Sequence, residues 1–253
     1  GVKKYNWTNM PLALHGVVFT KNGEKVDISI GDKEDEPVFF ISELLIHLSR
    51  QLMEKSAKEV ITGEQLSIIV GNRPLLDEKE NPVKKNILKI LNEKYGIEEE
   101  DFITAELEVV PAGKAREVGF DKSMIASHGH DDRVCSYAAL RALLDIKETK
   151  KTLVGLFVDK EEIGSVGATG MTSQFFENIL LEIMNLKEEF DLIKFKRALR
   201  NSKVLSADVT LAEDPNFKDA TESQNSAQIS HGVALTKYTG SGGKGGSNDA
   251  DAE

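Results

Sequence analysis

Residues 152–162, Thr-Leu-Val-Gly-Leu-Phe-Val-Asp-Lys-Glu-Glu, carry the clearest indication of fold class in the sequence. The first seven of these residues form a nearly unbroken apolar run, which is typical of a strand buried on both faces. An acidic segment ends the run, and a glycine-rich turn follows over residues 164–170. Helical patterns lie on both sides of this strand, and such alternation predicts an α/β unit with a parallel sheet.

The neighbouring segments fit the same unit. An apolar run over 124–127 leads to Asp131-Asp132 and to an amphipathic helical pattern. The segments that follow the glycine-rich turn are predicted as two amphipathic helices and a short strand, at 172–186, 188–201 and 203–207. We therefore predict an α/β domain over residues 123–253.

Residues 1–122 have a different character and are predicted to form a separate α+β domain. The predicted strands are 12–19, 25–30, 65–70 and 103–109, with a hairpin turn at 21–23. Two helices are predicted, one from Ser42 to about Lys55 and one that begins at Asn81-Pro82 and ends at Gly96.

Composition narrows the class of protein. The chain has 253 residues, 32 Lys plus Arg and 42 Asp plus Glu, for a net charge of −10. This balance argues against nucleic acid or an anionic membrane as a partner, because phosphate binding depends on clustered Lys and Arg. No apolar run approaches the ~20 residues of a membrane helix. Cys135 is the single cysteine, which excludes an internal disulfide framework and favours a reducing, cytoplasmic location.

Acidic residues follow the predicted strands at three places: Asp131-Asp132, Glu161-Glu162 and Asp208. Ligands of open α/β sheets bind outside the carboxyl ends of the strands, so we expect these carboxylates to meet at one edge. Gathered carboxylates repel one another, and a divalent metal ion relieves that repulsion. The alternative is that each acid is an ordinary solvated loop residue.

The glutamate pair adds a chemical expectation. Adjacent glutamates on a turn point in different directions, so one can bind a metal ion while the other accepts a proton from an attacking water. A pair of metal ions bridged by one carboxylate, with such a base, is suited to peptide hydrolysis.

Three segments carry a resemblance to a known family. Residues 127–140 (SHGHDDRVCSYAAL), residues 158–165 (VDKEEIGS) and residues 205–208 with 214–217 resemble segments of the aspartyl aminopeptidase and aminopeptidase I family of dinuclear zinc exopeptidases. Residues 7–18 and 101–107 are similar to further segments of that family. The resemblance implies a partial dinuclear-zinc-exopeptidase catalytic domain over 123–253, with a mixed parallel sheet, and an inserted dimerisation domain over 1–122.

The resemblance also implies the site. Asp131 would bridge two divalent metal ions, Glu162 and Asp208 would be terminal ligands, and Glu161 would be the general base. Zn²⁺ is the expected metal, with Co²⁺ and Mn²⁺ as alternatives. The family's two histidine ligands have no counterpart, and the ends of the sequence, Gly1 and the glycine-rich residues 240–253, suggest a fragment that is inactive by itself.

The histidines and a few other polar residues have expected roles of their own. The segment 46–50 resembles the one whose histidine contacts substrate in a neighbouring subunit, so His47 is a candidate catalytic residue; an exposed helix histidine is the alternative. His128 and His130 are expected to have supporting or loop roles, and His15 and His231 structural ones. Lys237 or Tyr238 would touch substrate. Asp132 stands where many relatives have Asn, which puts substrate preference in doubt.

The sequence thus predicts a metal-dependent aminopeptidase that removes N-terminal residues from peptides and assembles as a homo-oligomer, by resemblance dimers that form a tetrahedral dodecamer. Two alternatives remain open at this stage. One is a tetrahedral aminopeptidase of the glutamyl aminopeptidase and endoglucanase-like family, which shares the Asp-Asp-Arg and Glu-Glu patterns. The other is a non-catalytic oligomerisation fragment.

Overall fold

The computed structural model describes residues 3–186, 191–224 and 226–236. The strands within these residues are β1 (Leu12–Phe19), β2 (Lys25–Ile30), β3 (Glu106–Pro111), β4 (Arg116–Val118) and β5 (Met124–Ala126). The α-helices are α1 (Arg50–Met53), α2 (Pro82–Tyr95), α3 (His130–Asp145), α4 (Phe175–Asn185) and α5 (Leu192–Arg200). Short 3-10 turns occur between them. The fold class is therefore mixed α/β.

The chain divides into two compact units, Gly1–His128 and Gly129–Glu253. The boundary predicted after residue 122 lies inside the turn of the β4–β5 hairpin, where Val118 pairs with Met124. Because β4 and β5 pair with each other, both strands belong to the first unit, which ends at His128. The roles given to the two domains, dimerisation and catalysis, stay predictions.

The first unit contains an antiparallel sheet in the order β2-β1-β3. Val18 pairs with Val26 on one side, and Leu14 pairs with Val109 on the other. The predicted turn between β1 and β2 is confirmed: Gly23 has φ +82°, and its N–H donates to the Thr20 carbonyl at 2.8 Å. Glycine occupies this left-handed conformation without steric cost.

The core of this unit lies between the sheet and α2. Val18, Ile28 and Ile30 of the sheet are buried together with Ile97, and Leu91 and Tyr95 of α2 pack against them. The predicted bounds of α2 are confirmed, with Pro82 in its first turn and Gly96 in the left-handed region at its end. The Asn81 side chain does not cap the helix. The apolar stripe of α2 thus fixes its position on the sheet.

The helix predicted over residues 42–55 is wrong, because α1 covers only Arg50–Met53. That prediction depended on an apolar stripe of Leu44, Leu45, Leu48 and Leu52, and the first three of these are exposed. A short helix is marginal in water unless its apolar face is buried. Within the described residues this stripe has no such burial, so the segment forms turns instead.

Two strand predictions in this unit also need correction. Residues 65–70 do not form a strand: Gly63–Leu66 is a 3-10 turn, and Ile69 makes an isolated bridge with Phe40. The strand predicted from residue 103 begins at Glu106, since Glu99–Thr104 is a 3-10 turn that leaves Ile103 exposed.

In the second unit, the helices predicted after the glycine-rich turn are found as α4 and α5. Asp191 caps α5 by accepting the Ile193 N–H at 2.8 Å, and Phe195 of α5 is buried. Part of the second predicted helix, residues 188–190, lies outside the described residues. None of the helices in the described ranges is both long and apolar enough to cross a membrane.

The strands predicted at 152–158 and 203–207 are not formed. Neither segment has regular secondary structure or pairs with a strand within the described residues, and side chains such as Phe157 and Leu205 are exposed. A strand of a parallel sheet needs neighbours to bond its N–H and C=O groups. The described residues provide no such neighbours, and both named sheets are antiparallel.

Candidate metal centre

The start of α3 positions the first two acids. Asp131 and Asp132 have non-helical backbone angles, and the peptide bond between them is cis. Asp132 Oδ1 accepts the backbone N–H of Cys135 at 3.3 Å, so this side chain caps the regular part of the helix. The Asp131 side chain is left exposed beside this capped turn.

A closed turn carries the glutamate pair. Glu161–Ile163 is a 3-10 turn between Lys160 and Gly164, both of which are in the left-handed region. The Ser165 N–H donates to the Lys160 carbonyl at 2.7 Å. A Cβ on Gly170 would lie 2.2 Å from the Ser165 carbonyl oxygen, so only glycine allows this close approach.

The predicted acids come together in the second unit. Asp131, Glu161, Glu162 and Asp208 line one cavity of about 450 Å³, with residues 209–211 on its wall. We call these four carboxylates and Asp132 the acidic cluster. Carboxylate oxygens of Asp131, Asp132 and Asp208 all lie within 4.8 Å of one another.

Electrostatics within the cluster follow from this proximity. Desolvation raises the pKa of Asp131 above its usual value, and the negative charges of Asp208, Glu162 and Asp132 raise it further. Glu162 also lies close enough to hydrogen-bond the Asp131 carboxyl. Carboxylate oxygens at this spacing suit a divalent cation, whose charge would offset the repulsion. The residues present therefore fit a divalent metal ion.

Asp132 is a cluster member that sequence reasoning did not assign as a ligand. Its adjacency to Asp131 was the available signal, because two acids at a kinked helix start can face the same point. Asp132 also affects Cys135: burial, and then the hydrogen bond and charge of Asp132, raise the pKa of the thiol to about 11. Cys135 is half-buried.

The histidines lie elsewhere. His47 is exposed in a turn of the first unit and does not line the cavity of the acidic cluster. His128 lines a different cleft in the first unit, and His130 is the exposed first residue of α3. His15 bonds to Asp32 Oδ2 through Nε2 at 2.7 Å. Lys237 and Tyr238 lie outside the described residues.

Comparison with known proteins identifies the family. The model of the aminopeptidase I zinc metalloprotease family (M18) matches residues 1–252. The chain belongs to the M18 family. This match favours the M18 family over the glutamyl aminopeptidase and endoglucanase-like family, which the sequence had left open as the other enzyme family. A probable M18 aminopeptidase 1 of Clostridium acetobutylicum is 52% identical over 254 residues, which are 100% of this chain and 55% of that protein. The aspartyl aminopeptidase of Caenorhabditis elegans is 27% identical over 91% of this chain and 52% of its own length.

Solved M18 structures agree with this fold. A crystal structure of an M18 aminopeptidase from Thermotoga maritima matches with a TM-score of 0.92 and 46% identity, over 100% of this chain and 56% of that one. A dodecamer structure of yeast mApe1 matches with a TM-score of 0.61 and 25% identity, over 88% of this chain and 49% of that one. The chain thus spans about half the length of the M18 proteins it matches.

Proposed function

We propose that this chain is part of an M18 metalloaminopeptidase that removes N-terminal residues from peptides. The acidic cluster carries the proposal, because residues distant in sequence bring their carboxylates to one cavity. Membership of a zinc metalloprotease family supports zinc as the metal.

Asp131, Glu162 and Asp208 are the proposed metal ligands, with Asp131 central because its carboxyl neighbours both of the others. When bound, divalent ions polarise the scissile carbonyl and lower the pKa of water. Glu161 is the proposed general base: it lies in the same cavity, on the turn that also carries Glu162. It would take a proton from the attacking water and give it to the leaving amine.

The parallel sheet is part of the same proposal. Residues 152–158 and 203–207 have the strand-like composition on which the prediction was based, and their exposed side chains include Val154, Phe157 and Leu205. We propose that both segments pair with strands supplied by the rest of a longer protein, since the chain spans about half of its relatives. Such pairing would bury the exposed side chains and satisfy the free backbone groups.

The first unit is proposed as the dimerisation domain of a cytoplasmic homo-oligomer. Its exposed apolar side chains Leu44, Leu45 and Leu48 form the stripe that a partner surface would cover. His47 lies in this same segment, so assembly would carry it toward a neighbouring subunit's substrate. The yeast relative solved as a dodecamer supports homo-oligomerisation; a tetrahedral dodecamer is the proposed form.

The test uses the full-length protein loaded with Zn²⁺ and aminoacyl chromogenic substrates. Glu161→Gln should lower kcat by about 10²–10⁴-fold, the usual contribution of a positioned general base. Bound zinc, measured by mass spectrometry, should be unchanged. The exposed Glu182→Gln of α4 is the matched control and should keep full activity. Activity that survives Glu161→Gln would remove this mechanism. Rates on Asp, Glu and Leu substrates would give the N-terminal preference.

A non-catalytic oligomerisation role is the second candidate. The grouped metal-binding side chains within the described residues are all carboxylates, without the histidines that zinc commonly takes. Tight stoichiometric zinc binding together with peptide hydrolysis by the full-length protein would exclude this candidate, while assembly without either would favour it.

A further inference from the structure

A second cleft, in the first unit, is basic although the chain as a whole is acidic. The cleft has a volume of about 370 Å³ and lies along the β4–β5 hairpin. Pro111, Ala112 and Ala126 give it an apolar floor, and Lys114, Arg116 and His128 bring three basic side chains. None of the described carboxylates lines it. We call it the hairpin cleft.

Pairing of β4 with β5 brings the basic residues to one cleft. Arg116 pairs with Ala126 across the hairpin. Lys114 lies two positions before Arg116 and His128 two positions after Ala126, each just beyond the end of its strand. The pairing thus brings the two chain segments that flank the hairpin side by side, and all four residues line the same cleft.

The two carboxylates of the hairpin itself have partners outside the cleft. Glu117 forms an ion pair with Lys122 at 3.0 Å, and Asp121 Oδ1 accepts the Ser123 hydroxyl at 3.0 Å. Throughout the described part of the chain, the side chains of Lys114, Arg116 and His128 have neither a hydrogen bond nor an ion pair. Lys114 and Arg116 are thus two cations at one cleft without an internal counter-charge, an arrangement that favours an external anion.

We propose that the hairpin cleft binds a small organic anion, a carboxylate or a phosphate monoester attached to a short apolar body. The planar guanidinium of Arg116 can bind either anion with two parallel hydrogen bonds, and Lys114 adds a point charge. The apolar floor would contact the body of the ligand. A cleft of this size and mixed lining is typical of small-molecule sites.

Titration calorimetry on the intact chain, in EDTA, tests this site. N-acetyl-leucine and phenyl phosphate are the carboxylate and phosphate probes, and neutral N-acetyl-leucinamide and inorganic phosphate are the controls. We expect one or both organic anions to bind more tightly than either control, and the stronger of them identifies the anion. EDTA removes metal, and the acetyl group blocks the amine that an aminopeptidase needs, so the result is independent of the acidic cluster.

Variants complete the test. Arg116→Gln and Lys114→Gln should each weaken binding by at least about tenfold, as expected when a charged hydrogen-bond donor is lost. Lys122→Gln removes an equal charge from the same hairpin, outside the cleft, and should leave binding unchanged. Absence of binding, equal binding of the neutral amide, or equal weakening by Lys122→Gln would each overturn the proposal.

Discussion

A carboxylate oxygen of Asp131 lies within 4.8 Å of one from Asp208, although the two residues come from distant parts of the chain. Asp131 stands at the kinked start of α3, and Asp208 follows the apolar segment at residues 203–207. Burial and then the negative charge of Asp208 raise the pKa of Asp131, and a cation between the two carboxylates would offset their repulsion. This relationship is the structural basis of the proposed metal centre.

The reactivity of the Cys135 thiol depends on the negative charge of the acidic cluster. Burial and Asp132 raise the pKa of its thiol from 9.0 to about 11, so at pH 8.5 the folded chain should hold about a hundredfold less thiolate than the unfolded chain. We expect slow reaction with Ellman's reagent in EDTA and faster reaction for Asp132→Asn, which removes the negative charge. Because this is the single cysteine, the absorbance change is unambiguous. Equal rates for both proteins would contradict the contact.

Gly170 should be essential for the glutamate turn. A methyl group there would meet the Ser165 carbonyl oxygen, so Gly170→Ala should lower the free energy of unfolding by about 1–3 kcal/mol, as overpacking usually does. Metal affinity should fall as well, since the turn holds Glu162. Gly63→Ala is the control: a Cβ at Gly63 would have no neighbour within 4 Å. Urea unfolding measures both variants, and equal stabilities would contradict the account.

Asp101 is a buried acid that joins the β1–β2 turn to the Glu99–Thr104 turn. Its carboxylate accepts the backbone N–H groups of Lys21 and Glu98, both at 2.8 Å. These two hydrogen bonds hold the pKa of Asp101 below 3.8, and the bond from Glu98 has the larger effect. Asp101→Asn replaces one acceptor with a donor, so we expect the Tm to fall by several degrees at pH 7.

The effect of Asp101 should depend on pH in a defined direction. A lowered carboxyl pKa stabilises the folded state above the unfolded value of 3.8, and that stabilisation is lost as the pH falls through the lower folded value. The gap in Tm between the native chain and Asp101→Asn should therefore narrow below pH 3.8. Glu100→Gln, an exposed change in the same turn, should have little effect at either pH. A gap that widens with acid would contradict this role.

Local patterns predicted the elements whose partners lie close in the chain. The β1–β2 hairpin and α2 follow from the turn at Gly23, from Pro82 and Gly96, and from the apolar stripe that includes Leu91. Elements whose apolar faces are uncovered were predicted wrongly. The stripe at Leu44–Leu48 has helical spacing and residues 152–158 have strand composition, but neither finds a partner among the described residues. A sequence pattern indicates that a segment can bury an apolar face, but it does not indicate whether the element that would cover this face is present.

The acidic cluster was predictable for a different reason. Asp131, Glu162 and Asp208 each follow a segment of strand-like composition, and the chain brings them to one cavity although the predicted parallel sheet is not formed. Adjacency to Asp131 was a signal for Asp132, but its place in the cluster depends on the kink at the start of α3, which the sequence does not predict. The hairpin cleft was missed because its three basic residues lie at two strand ends and become neighbours only when β4 pairs with β5.

Zinc titration of the metal-free full-length protein by calorimetry tests whether the acidic cluster binds metal. Asp131→Asn and Asp208→Asn should each weaken binding by at least about tenfold, since loss even of a residue that supports a ligand costs 10–100-fold. Asp219→Asn, a change of equal charge outside the cluster, should bind zinc as the native protein does. Stoichiometric binding that is lost in the first two variants and kept in the third is the predicted result. Absence of zinc binding, or binding unchanged in Asp131→Asn and Asp208→Asn, would contradict the account.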